Sequence, residues 1–262
     1  MMGGESFSDR LSLLVSESFD DLSTDFERAE VLLAHGEIIR DVGVPLWGSN
    51  YAILVTVRGA EGRVLAVYKP RRGERPLWDF PDGTLCCREM LAYHVSKALG
   101  WNLVPPTVLR EGPLGVGSVQ LFVAHRPEVT YFNLDDRFSS QLQRFAVFDF
   151  IVNNADRKGG HLLLDARGKL WGIDHGLTFH AASKLRTVIW EFAGQPVAGH
   201  LLCDVEVLRG QLSVEDGSLA VLLRVCLMPR EVLALGRRVE WLLRVRSFPV
   251  VGSGRVVPWP PV

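Results

Sequence analysis

Residues 153–176 read N-N-A-D-R-K-G-G-H-L-L-L-D-A-R-G-K-L-W-G-I-D-H-G, and the fold turns on how this stretch is parsed. Leu162-Leu163-Leu164 and Leu170-Trp171-Gly172-Ile173 are short apolar runs, separated by Asp165-Ala166-Arg167-Gly168, which has the composition of a turn. The spacing predicts a short buried hairpin. Asp156 precedes it, with Arg157, Lys158 and His161 in the polar turn between, and Asp174 follows it. Two carboxylates are thus presented at the two ends of one stiff element. Upstream, Leu142, Phe145, Ala146, Phe148, Ile151 and Val152 predict a helix over 137–152, with Asp149 on it. Phosphoryl transfer from a nucleotide needs this layout: one carboxylate orients the acceptor hydroxyl, and a second, with a neighbouring ligand, holds the metal that neutralises the phosphates.

D-R-x-x-x-H followed by I-D-H-G resembles the catalytic and metal-binding segments of the atypical protein-kinase-like fold of phosphatidylinositol 3- and 4-kinases and HipA-type kinases. Those proteins carry D-R-x-x-x-N followed by I-D-x-G. The chain is similar, from about Gly36 to at least Phe179, to a small actinobacterial family of uncharacterised proteins related to those lipid kinases. The shared stretch includes Y-K-P-x-R-G-E-R-P-L-W-D-F-P-D-G-T-L at 68–85. The resemblance implies an α+β, protein-kinase-like two-lobe fold with a small antiparallel-sheet N-lobe and a mostly helical C-lobe. It implies Asp156, in its D-R pair with Arg157, as the catalytic aspartate and Asp174 as the metal aspartate, with ATP and Mg²⁺ or Mn²⁺ as cofactors. His161 falls where that fold usually has an asparagine as the second metal ligand. Imidazole is softer than an amide oxygen and suits Mn²⁺ or Zn²⁺ better than Mg²⁺.

Three divisions are expected: an N-terminal helical extension over 1–35, an N-lobe over 36–124 and a C-lobe over 125–262. The extension is amphipathic, with Leu11, Leu14, Phe19, Leu22, Phe26, Leu32 and Leu33 set against Asp20, Asp21, Asp25 and Glu27. In the N-lobe, 37–42, 51–57, 63–69 and 119–123 have strand patterns, the second and third joined by a Gly-Ala-Glu-Gly turn. Lys69 ends a run whose two faces (Leu65 and Val67; Val64, Ala66 and Tyr68) are both apolar, and such a lysine needs a negative partner. Glu89 is the candidate, since it interrupts the stripe Leu85, Ala92, Ser96 and Leu99 on a helix predicted over 85–99; the alternative is a strand-end ammonium that escapes to water and an ordinary helix-surface glutamate. A kinase-like fold uses that pair to position the α- and β-phosphates, covers them with a loop such as Gly48-Ser49-Asn50, and seats adenine at a hinge such as Phe122-Val123-Ala124. The connection over 73–83 is read either as a flap over the substrate or, in preference, as a loop anchored in the core by Trp78 and Phe80.

Helices are expected at 188–192, 201–208, 219–225 and 231–245. Arg237, Arg238, Arg244 and Arg246 make the last one basic, which is read as a solvated face. The 262 residues, 47% hydrophobic, can bury a sizeable core. A net charge of −1 gives no basic field for nucleic acid. The four cysteines form no C-x-x-C pair, there is no basic-then-apolar leader, and no apolar run is long enough to span a membrane, so a cytoplasmic protein is expected.

Three function classes follow. The first is an ATP-dependent kinase acting on a hydroxyl of a small molecule, lipid headgroup or protein, with nucleotidyl transfer as a variant on the same fold. The second is a nucleotide-binding pseudokinase, motivated by His161. The third is a metal-dependent hydrolase using His161, Asp174, His175 and His180, which leaves Lys69 and Glu89 without roles.

Overall fold

The computed structural model describes residues 19–39, 45–46 and 51–262. Gly48, Ser49 and Asn50, and the first part of the predicted N-terminal helix, lie outside them. The chain divides into two compact units. One holds the residues up to Arg75 together with Pro106–Phe122, and the other holds Pro76–Pro105 and Val123–Val262.

The first unit is an antiparallel sheet with one helix. Helix α1 (Phe26–His35) starts at Asp25, whose side chain accepts from the Arg28 N–H, and ends where the Arg110 Nη1 donates to the carbonyls of Leu33 and Gly36. Strands β1 (Glu37–Ile39), β2 (Pro45–Leu46), β3 (Ala52–Gly59), β4 (Gly62–Pro70), β5 (Thr107–Gly112) and β6 (Gly115–Leu121) pair in the order β1-β3-β4-β6-β5, with β2 also on β3. Alternation puts Ile53, Val55, Val57, Val64, Ala66 and Tyr68 on one face, where Ala29, Leu32 and Leu33 of α1 pack against them. Each of those leucines contributes about 1.5–3 kcal/mol by leaving water. The β3–β4 turn closes on Gly62 at φ +124, where a Cβ would strike the Asp20 carboxylate that accepts the Arg63 N–H. The other face of β4 is less covered than its sequence suggests: Val67 and Lys69 are half-buried while Tyr68 is fully buried.

The second unit is mostly helical. It contains α2 (Leu85–Ala98), α3 (Ser139–Val152), the hairpin β7 (Leu162–Leu164) and β8 (Leu170–Gly172), α4 (Gly199–Ser213), α5 (Ser218–Cys226) and α6 (Pro229–Val245). Two buried ion pairs stitch it together: Arg88 of α2 with Glu231 of α6, and Asp149 of α3 with Arg157, each at 2.9 Å. No helix among the described residues is long and apolar enough to cross a membrane.

Three expectations are corrected. Residues 188–192 are not helical, because their amides are committed elsewhere: the Val188 N–H donates to Arg157 and the Ile189 N–H to the Thr187 hydroxyl. Trp78 is 93% exposed and anchors nothing in the core. Phe80 does anchor the loop, buried beneath the Arg88 guanidinium at 5.0 Å, and Asp79 adds a pair with Lys184 at 2.7 Å. The strand expected to end at Val123 stops at Leu121, since the Phe122 N–H turns to the Leu65 carbonyl and the Val123 carbonyl meets His125 Nδ1.

Candidate active site

Helix α3 ends at Asn153, whose left-handed backbone (φ 54) stops the helix and reverses the chain. Its side chain bonds the following segment, donating to the carbonyls of His180 and Ala182 and accepting from the Lys184 N–H. Asn154 donates to Asp149 and accepts the Asp156 N–H at 3.0 Å, so the backbone of Asp156 is referenced to α3.

Arg157 is the hub of this construction. Its guanidinium is fully buried, paired with Asp149, and donates to the carbonyls of His161 and Ile173 at 3.3 and 3.2 Å. It therefore clamps the two ends of the hairpin together. Its Nη2 lies 2.6 Å from His175 Nε2; guanidinium is always a donor, so that nitrogen accepts and His175 is neutral. Gly172 makes the approach possible: a Cβ there would lie 2.6 Å from Phe145 and 3.3 Å from both Arg157 and His175. Arg157, expected in the catalytic pair, is thus fully buried, with its guanidinium committed to Asp149 and to the two hairpin ends. His175, considered for a hydrolytic metal set, is likewise walled in, and among the described residues no three His, Cys, Asp or Glu side chains are placed to share a metal.

What the hub positions is a small open cluster. Asp174 sits at φ +59, a strained backbone for a non-glycine residue, and its side chain is 43% exposed. His161 Nε2 is 3.4 Å from Asp174 Oδ2, and Lys158 Nζ is 3.6 Å from Asp156 Oδ2. Burial raises the Asp156 carboxyl to about 6, against the pull of Lys158, and the negative charge of Asp174 adds to the rise. Glu89 belongs to the same neighbourhood, since its carboxylate accepts the His175 N–H at 2.8 Å and so fixes the residue after Asp174. The sequence reading gave it a cation partner and did not foresee this amide. Lys69 lies in the sheet unit, half-buried at the end of β4 opposite Ser118.

The residues present fit a divalent cation. His161 and Asp174 can supply two ligands, and the negative charge of Asp174, which adds to the rise at Asp156, marks a place that gains from a positive charge. Magnesium-type sites with one or two protein ligands are completed by substrate phosphates. Asp149, Asn154 and Lys158 received no role in the sequence reading; the only signal for them was a run of polar residues at the end of an apolar helix.

Comparison with known proteins gives the family and the fold. Residues 108–197, which contain the cluster, match the family model for phosphatidylinositol 3- and 4-kinase. The protein Rv2133c of Mycobacterium tuberculosis is 42% identical, over 74% of this chain and 81% of its own. The proinflammatory kinase CtkA of Helicobacter pylori has a similar fold at a TM-score of 0.50 and 13% identity, covering 82% of this chain and 94% of that one. The two-lobe kinase-like fold accounts for the sheet unit and the helical unit alike. The chain belongs to the family of kinase-like proteins related to phosphatidylinositol 3- and 4-kinases that includes Rv2133c.

Proposed function

We propose that this protein is an ATP-dependent phosphotransferase acting on a hydroxyl acceptor, with a divalent metal held by Asp174 and His161. The observation that carries the reading is the juxtaposition of Asp156 with Asp174, His161 and Lys158 on a scaffold that spends its buried charges elsewhere. Asp156, raised to about 6, is ionised at neutral pH yet close enough in basicity to accept a proton in the transition state. The acceptor O–H gives its proton to the Asp156 carboxylate as its oxygen bonds to the γ-phosphorus. The bridging oxygen leaves with the electron pair on the nucleoside diphosphate. Lys158 is placed to offer an ammonium to the transferring phosphoryl oxygens. When bound, the metal supplies charge neutralisation at the phosphates.

Lys69 and Glu89 are proposed for the nucleotide's α- and β-phosphates, Gly48-Ser49-Asn50 for covering them, and Phe122-Val123-Ala124 for the adenine. The lobe boundary at residue 124 belongs to the same proposal. A cytoplasmic location and a lack of nucleic-acid partners are supported by composition.

The test is ATP turnover and self-phosphorylation with Mg²⁺ and with Mn²⁺, in wild type and Asp156→Asn. Turnover that survives this change undiminished overturns the mechanism. The imidazole at 161 favours one second reading, a pseudokinase. ATP binding without turnover in either metal, and no gain from His161→Asn, is the result that selects it.

A further inference from the structure

The arginines of α6, read from sequence as a solvated face, do not all face water. Arg237 and Arg238 line a cavity of about 500 Å³ within the helical unit, together with Arg186 from the segment after the active site and Arg255 from the C-terminal segment. Phe150 and Trp190 form apolar wall, and the side chains of Ser183 and Ser253 add hydroxyls. No aspartate or glutamate lines it among the described residues. Lys184, a fifth cation on the lining, is already held by Asp79 at 2.7 Å. None of the four arginines forms an ion pair among the described residues.

Arg238 is the decisive group. Its Nε donates to the Ile151 carbonyl at 2.7 Å and its Nη1 to the His180 carbonyl at 3.4 Å, while Nη2 is buried with no acceptor. Burial pushes this guanidinium down to about 10, against the pull of the Glu231 carboxylate, which is itself paired with Arg88. That nitrogen is closed off from water in this conformation, so it would reach a cavity ligand by a turn of the side chain, a turn favoured because an unmade charged hydrogen bond is costly. Four guanidinium groups around one space exceed what a single carboxylate can bridge. The tetrahedral oxygens of a phosphate can accept from several at once. The volume exceeds that of a bare ion, leaving room for an organic body in a cavity that Phe150 and Trp190 also line.

We propose that this cavity binds a phosphate-bearing small molecule or headgroup, with Arg238 and the arginines at 186, 237 and 255 gripping the phosphate. The site does not depend on the phosphotransfer reading. Its wall is nonetheless bonded to the stretch that carries Asp156: the Arg186 N–H donates to the Asn154 carbonyl, and the Arg157 N–H to the Arg186 carbonyl.

The experiment titrates the full chain, in chelator to silence metal-dependent nucleotide binding, with glycerol 3-phosphate, inorganic phosphate, and phosphatidylcholine vesicles with or without phosphatidic acid. Calorimetry, thermal shift and vesicle sedimentation are the readouts. Binding of glycerol 3-phosphate or inorganic phosphate identifies a soluble phosphate compound as the source, and binding confined to phosphatidic acid vesicles identifies a lipid. Because Arg238 also supports the end of α3, the exposed pair Arg237→Gln/Arg255→Gln carries the test, and it should weaken binding roughly tenfold or more. Arg238→Gln should abolish it where the variant folds. No binding of any probe, or binding that changes less than about twofold in the double variant, overturns the proposal.

Discussion

Asp149 and Asp156 stand seven positions apart on either side of one helix end, and the fold treats them in opposite ways. Asp149 is fully buried and saturated, gripped by Arg157 through Oδ1 and Oδ2 and by Asn154. Asp156 is only partly covered and its nearest cation is 3.6 Å away, so burial costs it more than its partners return, and its carboxyl rises to about 6. The difference separates scaffold from site. Buried charges that are paired hold position, and a carboxylate left under-compensated is available for a proton and for a metal's field.

The largest break in this comparison is removal of the hub. Arg157→Leu strands Asp149 as an unpaired buried charge and releases the hairpin ends at His161 and Ile173, for an expected loss of roughly 3–5 kcal/mol in denaturant unfolding. Adding Asp149→Leu should recover part of that loss, since a buried pair can be replaced by apolar groups more cheaply than it can be halved. A single Arg157 variant that keeps its stability but loses turnover would move this residue back to the catalytic set. Next in size is Asp156→Asn, which should leave the fold intact and lower turnover by about 10²–10⁴-fold, measured under saturating ATP.

The sequence disclosed the parts of this arrangement that follow a period or a turn. The hairpin, α3 and the order of Lys69, Glu89, Asp156 and Asp174 are readable because apolar spacing and turn composition are local signals. The Asp149–Arg157–His175 network is not, because three buried polar residues at irregular intervals look in sequence like any surface charges. Arg238 failed for the same reason: one arginine among several on a helix carries no mark of which one is turned inward. The stretch 188–192 was misread because a few apolar residues at helical spacing weigh less than amides already bonded to Arg157 and Thr187. Trp78 shows the opposite error, an aromatic taken for an anchor where Phe80 and an ion pair from Asp79 did the holding.

Two smaller effects sharpen the contrast at the open cluster. Asp156 must be ionised to accept a proton, so turnover should fall about tenfold per pH unit as pH drops below about 6. A metal-binding His161 must also be neutral, which steepens the same acidic limb. His161→Asn exchanges the imidazole for an oxygen ligand and should shift metal preference from Mn²⁺ towards Mg²⁺, seen as a several-fold change in the ratio of the two activities. An unchanged ratio would remove His161 from the metal.

The smallest effect is the most diagnostic, because its sign distinguishes the two aspartates. The Asp156 carboxyl titrates near 6 in the folded chain, above its ordinary value of 3.8. Between those pH values the unfolded chain has released this proton and the folded chain still holds it. The folded state therefore binds more protons, and stability falls as pH rises through that window. At neutral pH the full cost of ionising a half-buried carboxylate is present, on the order of 1 kcal/mol after solvent screening. Asp156→Asn removes it. The variant should be more stable than wild type at pH 7 by that amount, with the difference shrinking towards zero near pH 4. Asp149→Asn should be less stable than wild type at pH 7, because it breaks the ion pair with Arg157. Denaturant unfolding of the three proteins at both pH values decides the matter. An Asp156→Asn protein that loses stability at pH 7, as the Asp149 variant does, would show that Asp156 belongs to the scaffold and that the active site has been placed on the wrong carboxylate.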